Sequence, residues 1–349
     1  MSPPKPHLLL LDPDRYSIEA RELLGTVADV VDGPLTRQEL CERIGEFDVL
    51  VLRLSHRIDA DLIGRAGRLK AVATNTTGLD HIDLVAARQH GIAVLSLRGE
   101  LAFLETIVST AELTWGLLLS LIRQIPAAHR SVLDGAWRRD DFVGRDLAGR
   151  TLGVVGCGRI GRKVAAYGAA FGMSVLAFDP DPRVIPSTVV ACASLHELLG
   201  RSEVVTLHVT EGADTRGLIG TAELGLMRPG ALLVNTSRGS VVDSEALLAA
   251  LDSGQLAGAA LDVVDGELAA GFPGHNRLID FARRSRALVI TPHIGGVSSD
   301  SWARTETFLA KKIVDFFAAP SLPSPATAGE GREGAADSGR STGESKANR

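Results

Sequence analysis

Three polar side chains stand just beyond the ends of apolar runs: Arg238 in Asn-Thr-Ser-Arg-Gly, Glu267 after the run 257–262, and His293 in Thr-Pro-His-Ile-Gly-Gly. An arginine can hold a carboxylate through charge-assisted hydrogen bonds worth roughly 1.5 to 3 kcal/mol each. A histidine can give a proton to a carbonyl oxygen as hydride arrives at carbon, a contribution of about 10² to 10⁴ in rate. A carboxylate beside that histidine orients its ring. Taken singly, each of the three reads more naturally as a structural or solvated residue. Their shared place after strands, at the edge where open parallel sheets bind ligands, turns the argument toward reduction of an acid that carries a carbonyl.

A glycine pattern points to the reductant. Gly156-Cys157-Gly158-Arg159-Ile160-Gly161 follows the apolar run 151–155 and precedes the helical pattern 163–171. It reads as strand, tight turn, helix: Gly156 makes the turn, Gly158 lets the backbone approach a pyrophosphate, and Gly161 lets helix and strand pack closely. The anion would rest on the unpaired N–H groups and positive dipole end of the helix. Chance matches are easy among 37 glycines, so the flanking elements carry the weight. Asp179 ends the next apolar run, about 20 residues on, where an acid accepts hydrogen bonds from adenosine ribose hydroxyls and repels a 2′-phosphate. That favours NAD over NADP. The competing reading is a turn aspartate in Asp-Pro-Asp-Pro, and Arg183 close by softens the preference.

These residues need a scaffold of alternating strands and helices. In the first part of the chain, runs 8–11, 27–31, 49–52, 69–73 and 92–95 read as strands, with helical patterns at 16–24, 38–44 and 84–90. The run 109–125 is the longest apolar helical pattern, broken at Pro126; it reads as a connector between two domains or as a buried core helix. A second series follows at 151–155, 174–178, 189–193, 204–208, 231–235, 257–262 and 287–291. Alternation of this kind implies parallel sheets in an α/β fold, here two doubly wound domains. The helical pattern 302–317 has no strand of its own and is expected to cross back onto the first domain. The stretch 320–349, rich in Pro, Ser, Gly and Ala, is expected to be disordered.

Composition narrows the class. At 349 residues, 45% hydrophobic and 23% charged, the chain suits two globular domains, and a net charge of −5 gives no pull toward nucleic acid or anionic membrane. A small-molecule partner is the default. Cys41, Cys157 and Cys192 lack metal-site or disulfide-framework spacing, so no metal is expected and a reducing cytoplasm fits. The proline-rich start has no signal-peptide core, and the apolar stretch 113–122 falls short of the roughly 18 to 20 residues that cross a bilayer.

In its ordered motifs the chain resembles the D-isomer-specific 2-hydroxyacid dehydrogenases. The motifs are Thr-Gly-Leu-Asp-His-Ile-Asp at 77–83, Thr-Leu-Gly-Val-Val-Gly-Cys-Gly-Arg-Ile-Gly at 151–161, Thr-Leu-His-Val at 206–209, Asn-Thr-Ser-Arg-Gly at 235–239, Ala-Leu-Asp-Val at 260–263 with Glu267 beyond, and Thr-Pro-His-Ile-Gly at 291–295. The likeness spans residues 8–317. It implies a Rossmann NAD-binding domain, 99–297, inserted into a flavodoxin-like substrate domain made of 1–98 and 298–319, with the active site in the cleft between them. It further implies that Arg238 binds a 2-oxo acid, that His293 is the acid and base, and that Glu267 pairs with it. Arg159 and Ile160 would meet the pyrophosphate, Asp262 the nicotinamide carboxamide, and His208, Thr210, Thr236 and Gly295 would line the cofactor. The loop Thr76, Thr77, Gly78 would offer N–H groups to the substrate carboxylate. Related enzymes are commonly dimers through the NAD domain, an interface that 104–139 could supply.

Thr76 stands where many members have glycine, Thr210 where many have proline, and Leu268 replaces a proline often found after the glutamate. The first bears on how the loop meets the carboxylate, the second on a loop near the cofactor, and the third on a local turn. Arg53 and His56 are candidates to add charge to the substrate pocket, against a solvated or structural role. The reading is an NAD-dependent enzyme interconverting a 2-oxo acid and a D-2-hydroxy acid. Two alternatives stand beside it: a same-fold dehydrogenase for formate, phosphite or a phosphonate-bearing oxo acid, and a non-catalytic NADH-binding regulator like the C-terminal-binding-protein corepressors.

Overall fold

The computed structural model describes residues 4–269 and 271–318. Its first five strands, β1 (His7–Leu10), β2 (Asp29–Asp32), β3 (Val49–Leu52), β4 (Ala71–Thr74) and β5 (Ala93–Leu95), form one parallel sheet in the order β2-β1-β3-β4-β5. That is the flavodoxin-like order. Every residue of β3 and β4 is buried, as expected of strands covered by helices on both faces.

Side-chain alternation along β1 sorts the core into two layers. Leu9 and Leu11 join Leu40, Ile44, Phe47 and Leu62 on one face. Leu8 and Leu10 join Ala20 and Leu24 on the other, together with Leu309, Ala310 and Ile313 from the helix Ser299–Ala318. That helix therefore completes the first sheet. The stretch 320–349, expected to be disordered, lies outside the described residues. Local chemistry sets the helix starts: Ser17, Asp59 and Asp83 accept first-turn N–H groups, and Thr36 with Glu39 forms a capping box.

Seven further strands, β6 (Thr151–Val155), β7 (Ser174–Phe178), β8 (Val190–Ala191), β9 (Val204–Leu207), β10 (Ala231–Asn235), β11 (Leu256–Leu261) and β12 (Leu288–Ile290), make a second parallel sheet ordered β12-β11-β10-β9-β6-β7-β8. Counted from β6 this is the Rossmann order with a seventh strand added. The order reverses beside β6, so the glycine turn after it opens at the switch point.

Several boundaries differ from the sequence reading. The run 27–31 is not one strand: the helix Ile18–Val27 takes in Val27, and the strand begins at Asp29. Pro126 does not end the long helix. The helix Ser109–Ile122 stops first, Gln124 turns left-handed at φ 52°, and Pro126 sits in the first turn of a new helix, Ile125–Leu133, where its missing N–H costs nothing. The apolar stretch also starts earlier than residue 113: Leu101–Ile122 is long and apolar enough to cross a bilayer by length and composition alone. It is nevertheless two helices, and Ala111, Trp115, Leu117, Leu118 and Leu121 of the longer one are buried against Leu152, Val154 and Val234 of the second sheet. Of the two readings offered for it, the buried core helix describes its packing.

If the returning helix belongs to the first core, trimming Ile313 to alanine leaves a cavity there. Equilibrium denaturation should show a loss of about 2 to 5 kcal/mol; a loss under about 0.5 kcal/mol, the size of an ordinary surface substitution, would contradict that packing.

Candidate active site

The glycine turn has the shape its residues suggest. Gly156 lies at φ 85°, and a Cβ there would sit 2.7 Å from the His208 carbonyl oxygen; one on Gly161 would sit 2.0 Å from the Gly156 oxygen. A side chain at either place forces the turn open. Gly158 faces open space instead, and no side chain caps the helix Arg159–Ala170 that starts after it. Its first-turn N–H groups are left for an anion, which the fit of a pyrophosphate requires. Arg159 donates to the carbonyls of Leu104 (3.3 Å) and Ile107 (3.2 Å), and burial lowers its pKa from the usual arginine range. Ile160 packs on the second-sheet core.

Asp179 is fastened at both oxygens. Cys157 N–H donates to Oδ2 at 2.8 Å and Asp181 N–H to Oδ1 at 3.0 Å. The carboxylate thus closes both the glycine turn and its own turn, and each oxygen keeps an acceptor site for a ribose hydroxyl. Arg183 pairs with Asp181 at 2.7 Å rather than with Asp179. Cys157 is buried beside Asp179, and burial first, then that negative charge, pushes its thiol up to about 11.

His208 follows β9 with Nε2 2.9 Å from the Thr206 hydroxyl, while Nδ1 is buried without a hydrogen-bond partner. Burial pushes this imidazole down to about 3, so it is neutral at pH 7. Thr210 is exposed, its carbonyl accepting the Thr215 hydroxyl at 2.7 Å. Thr236 is buried, its hydroxyl 2.9 Å from that of Thr114 on the helix Ser109–Ile122. From the same helix Thr110 donates to the Gly295 carbonyl at 3.0 Å. The sequence reading misses both threonines; their four-residue spacing puts them on one helix face, but a helical period does not reveal which loops that face meets.

Asp262, at the end of β11, organises the loop that carries His293. Its Oδ1 accepts from the Thr291 hydroxyl (2.5 Å) and Ile294 N–H (2.8 Å), its Oδ2 from Gly295 N–H (2.7 Å), and its carbonyl from His293 N–H (2.8 Å). Burial raises the Asp262 pKa, and these hydrogen bonds oppose that rise. A carboxylate offers roughly four acceptor sites, so one remains on Oδ2. His293 is held at φ 55°, a left-handed conformation uncommon outside glycine. Its Nδ1 hydrogen-bonds Glu267 Oε1, and Glu267 Oε2 accepts Val264 N–H at 3.1 Å. A carboxylate only accepts, so Nδ1 carries the proton in this contact and Nε2 is the free ring nitrogen.

Arg238 reaches across to the first sheet. Its Nε–H donates to Asp80 Oδ2 at 2.9 Å, and Glu211 Oε2 stands 3.9 Å away. A Cβ on Gly78 would fall 1.8 Å from Arg238 Nη2, so the loop after β4 lies directly against the guanidinium. In that loop the Thr76 hydroxyl donates to the Gly78 carbonyl at 2.7 Å, and Thr77 is exposed. Threonine in place of glycine therefore braces the loop from within. Leu268 is exposed beyond Glu267.

Arg53, weighed between a pocket charge and a structural residue, is engaged by the returning helix. It donates from Nε (3.1 Å) and Nη2 (2.6 Å) to Glu306, whose side chain is 0% exposed, and its guanidinium lies 3.9 Å over the Trp302 ring. Its charge is matched inside the first domain. His56 keeps to Ser55, at 3.1 Å. Among the described residues no group of three or more His, Cys, Asp or Glu is placed to hold a metal.

Residues 115–295 match the family model described as D-isomer specific 2-hydroxyacid dehydrogenase, NAD binding domain. The chain is 36% identical over 310 residues to D-3-phosphoglycerate dehydrogenase of Methanocaldococcus jannaschii, covering 88% of this chain and 56% of that protein. It spans little more than half the length of the curated relatives it matches. A crystal structure from Thermus thermophilus superposes with a TM-score of 0.77 at 34% identity, over 92% of this chain and all of the other. The D-lactate dehydrogenase of Aquifex aeolicus, solved with NAD and lactic acid, gives a TM-score of 0.75 at 28% identity, over 89% and 95% of the two chains.

Two outcomes follow from this geometry. Asp262→Ala strips the partners from two loop N–H groups and should lower unfolding free energy by about 2 to 4 kcal/mol in chemical denaturation; a loss below about 0.5 kcal/mol would show that the loop holds itself. Since Cys157 remains a thiol to about pH 11, iodoacetamide at pH 8 should label it at least a hundredfold more slowly in the native chain than in the denatured one, by mass spectrometry. Equal labelling rates would mean that the turn is open.

Proposed function

The chain belongs to the D-isomer-specific 2-hydroxyacid dehydrogenase family, and from that premise we propose that it interconverts a 2-oxo acid and a D-2-hydroxy acid with NAD. The observation that supports the proposal is the placement of three groups after the C-terminal ends of the neighbouring strands β10, β11 and β12. They are the Arg238 guanidinium against the loop 76–78, the ring of His293, and its partner Glu267.

In the reductive direction Arg238 and the N–H groups of Thr76, Thr77 and Gly78 hold the substrate carboxylate. NADH, when bound, supplies the hydride that C2 receives. His293, protonated on both ring nitrogens before the step, gives the Nε2 proton to the carbonyl oxygen, which becomes the hydroxyl, and is left as the neutral Nδ1–H ring; the reverse reaction returns that proton to Nε2. Glu267 keeps the ring's other nitrogen protonated and its plane fixed. Gly156, Gly158, Arg159, Ile160 and Gly161 would receive the pyrophosphate, Asp179 the adenosine ribose, Asp262 through its spare acceptor site the carboxamide, and His208, Thr210, Thr236 and Gly295 the rest of the cofactor. In this reading 99–297 is the NAD-binding domain, and 1–98 with 298–319 the substrate domain.

A homodimer through 104–139 belongs to the same proposal. The helix Ile125–Leu133 buries none of its residues, its Leu133 is exposed, and Trp137 just beyond it is 88% exposed. Cys41, Cys157 and Cys192 are unpaired, in keeping with a cytoplasmic site of action.

NADH oxidation across small, acidic, aromatic and phosphorylated 2-oxo acids tests the reaction and finds the side chain preferred. His293→Ala should then lower kcat on the best substrate by about 10² to 10⁴ while NADH affinity stays within about twofold. Full turnover by that variant would remove His293 from the mechanism.

A further inference from the structure

The Arg238 guanidinium is held through two of its donors, on opposite edges. Nε–H donates to Asp80 at 2.9 Å and Nη1 to the Ser237 carbonyl at 2.8 Å. The second nearby carboxylate, Glu211, is a weaker partner: it lies 3.9 Å from Nε, accepts the Ser240 hydroxyl at 2.9 Å and stands 3.6 Å from Arg216. An arginine has five N–H donors in a rigid fork, so both donors of Nη2 and one of Nη1 remain, and Nη2 is the corner that lies against Gly78.

Asp80 is presented by a loop with little freedom. Its neighbours Leu79 and His81 are buried, Ile82 N–H donates to the Leu79 carbonyl at 2.9 Å, and Ile58 N–H to the His81 carbonyl at 2.7 Å. Asp83 then caps the next helix. Between these anchors the Asp80 side chain remains 44% exposed. An ion pair this open contributes little to stability. Its effect is geometric: it selects one orientation of a long side chain that must otherwise be ordered by substrate.

We propose that Asp80 is a positioning residue for Arg238, holding the guanidinium by its Nε side so that the Nη2 corner faces the substrate carboxylate at Gly78. The proposal rests on the reading of Arg238 as the arginine that binds the oxo acid. It also gives Gly78 a second duty, since any side chain there overlaps the corner that Asp80 sets.

Oxamate, which pairs a carboxylate with a carbonyl on a two-carbon frame, is the probe. It is titrated into the full chain saturated with NADH and followed by nicotinamide fluorescence. Asp80→Asn should weaken oxamate about tenfold with NADH affinity and Tm unchanged, and Gly78→Ala should weaken it comparably by displacing Nη2. Asp80→Asn combined with Arg238→Met should bind no worse than Arg238→Met alone, because the aspartate acts through the arginine. The proposal is overturned by losses that multiply in the double variant, by tighter binding in Asp80→Asn, or by a wild-type chain that binds no oxamate. Turnover separates it from the functional reading: a wild-type chain that reduces no 2-oxo acid yet gives this binding pattern refutes the reaction and leaves the positioning intact.

Discussion

The buried carboxylate of Asp262 is the constraint on which the candidate site depends. Taking a carboxylate out of water is costly unless donors replace the water, and here one hydroxyl and two N–H groups do so. All three donors come from the loop after β12, so satisfying the charge also folds the loop. The left-handed backbone at His293 follows from it, a conformation that costs of order 1 kcal/mol and persists because the surroundings over-determine it. Glu267 then fixes the ring, and Thr110 fastens the Gly295 carbonyl from a helix that begins far earlier in the chain.

A second constraint acts between the sheets. The loop after β4 and the loop after β10 meet at Gly78, Asp80 and Arg238, so a guanidinium from the second sheet lies against the first. The loop after β4 is pinned to the segment after β3 by the parallel bridge of Ile58 with Ile82. On the second sheet Asn235 donates to the Arg238 carbonyl at 2.8 Å, which places the arginine's backbone before its side chain is considered. Rigid backbone on both sides leaves few side-chain torsions to settle.

Much of this is legible in residue order. Strands covered by helices on both faces appear as short unbroken apolar runs, which is why β1, β3, β6, β7 and β10 can be read nearly to the residue. The short edge strand Val190–Ala191 reads too long, as 189–193, because an edge carries fewer apolar residues and less pairing to define its ends. Val27 reads as strand because a β-branched residue between helix and strand obeys whichever element packs it. Arg53 resembles a pocket charge because Glu306, its partner, lies some 250 positions away in sequence, a separation no local pattern bridges. The same holds for Asp80, whose motif is plain in the sequence while its contact is not, since only the fold brings it to Arg238.

The returning helix has a consequence for synthesis. The second sheet is complete once Ile290 has emerged, whereas the first sheet, although made earlier, lacks Leu309, Ala310 and Ile313 until nearly the end of the described chain. A ribosome therefore releases the later-coded unit in a state ready to fold while the earlier one still exposes Leu8, Leu10 and Ala20. The usual vectorial order, N-terminal unit first, is inverted. The interval is the time taken to translate about 20 residues, on the order of one to four seconds at bacterial or eukaryotic rates, during which an open parallel sheet needs protection from other nascent chains.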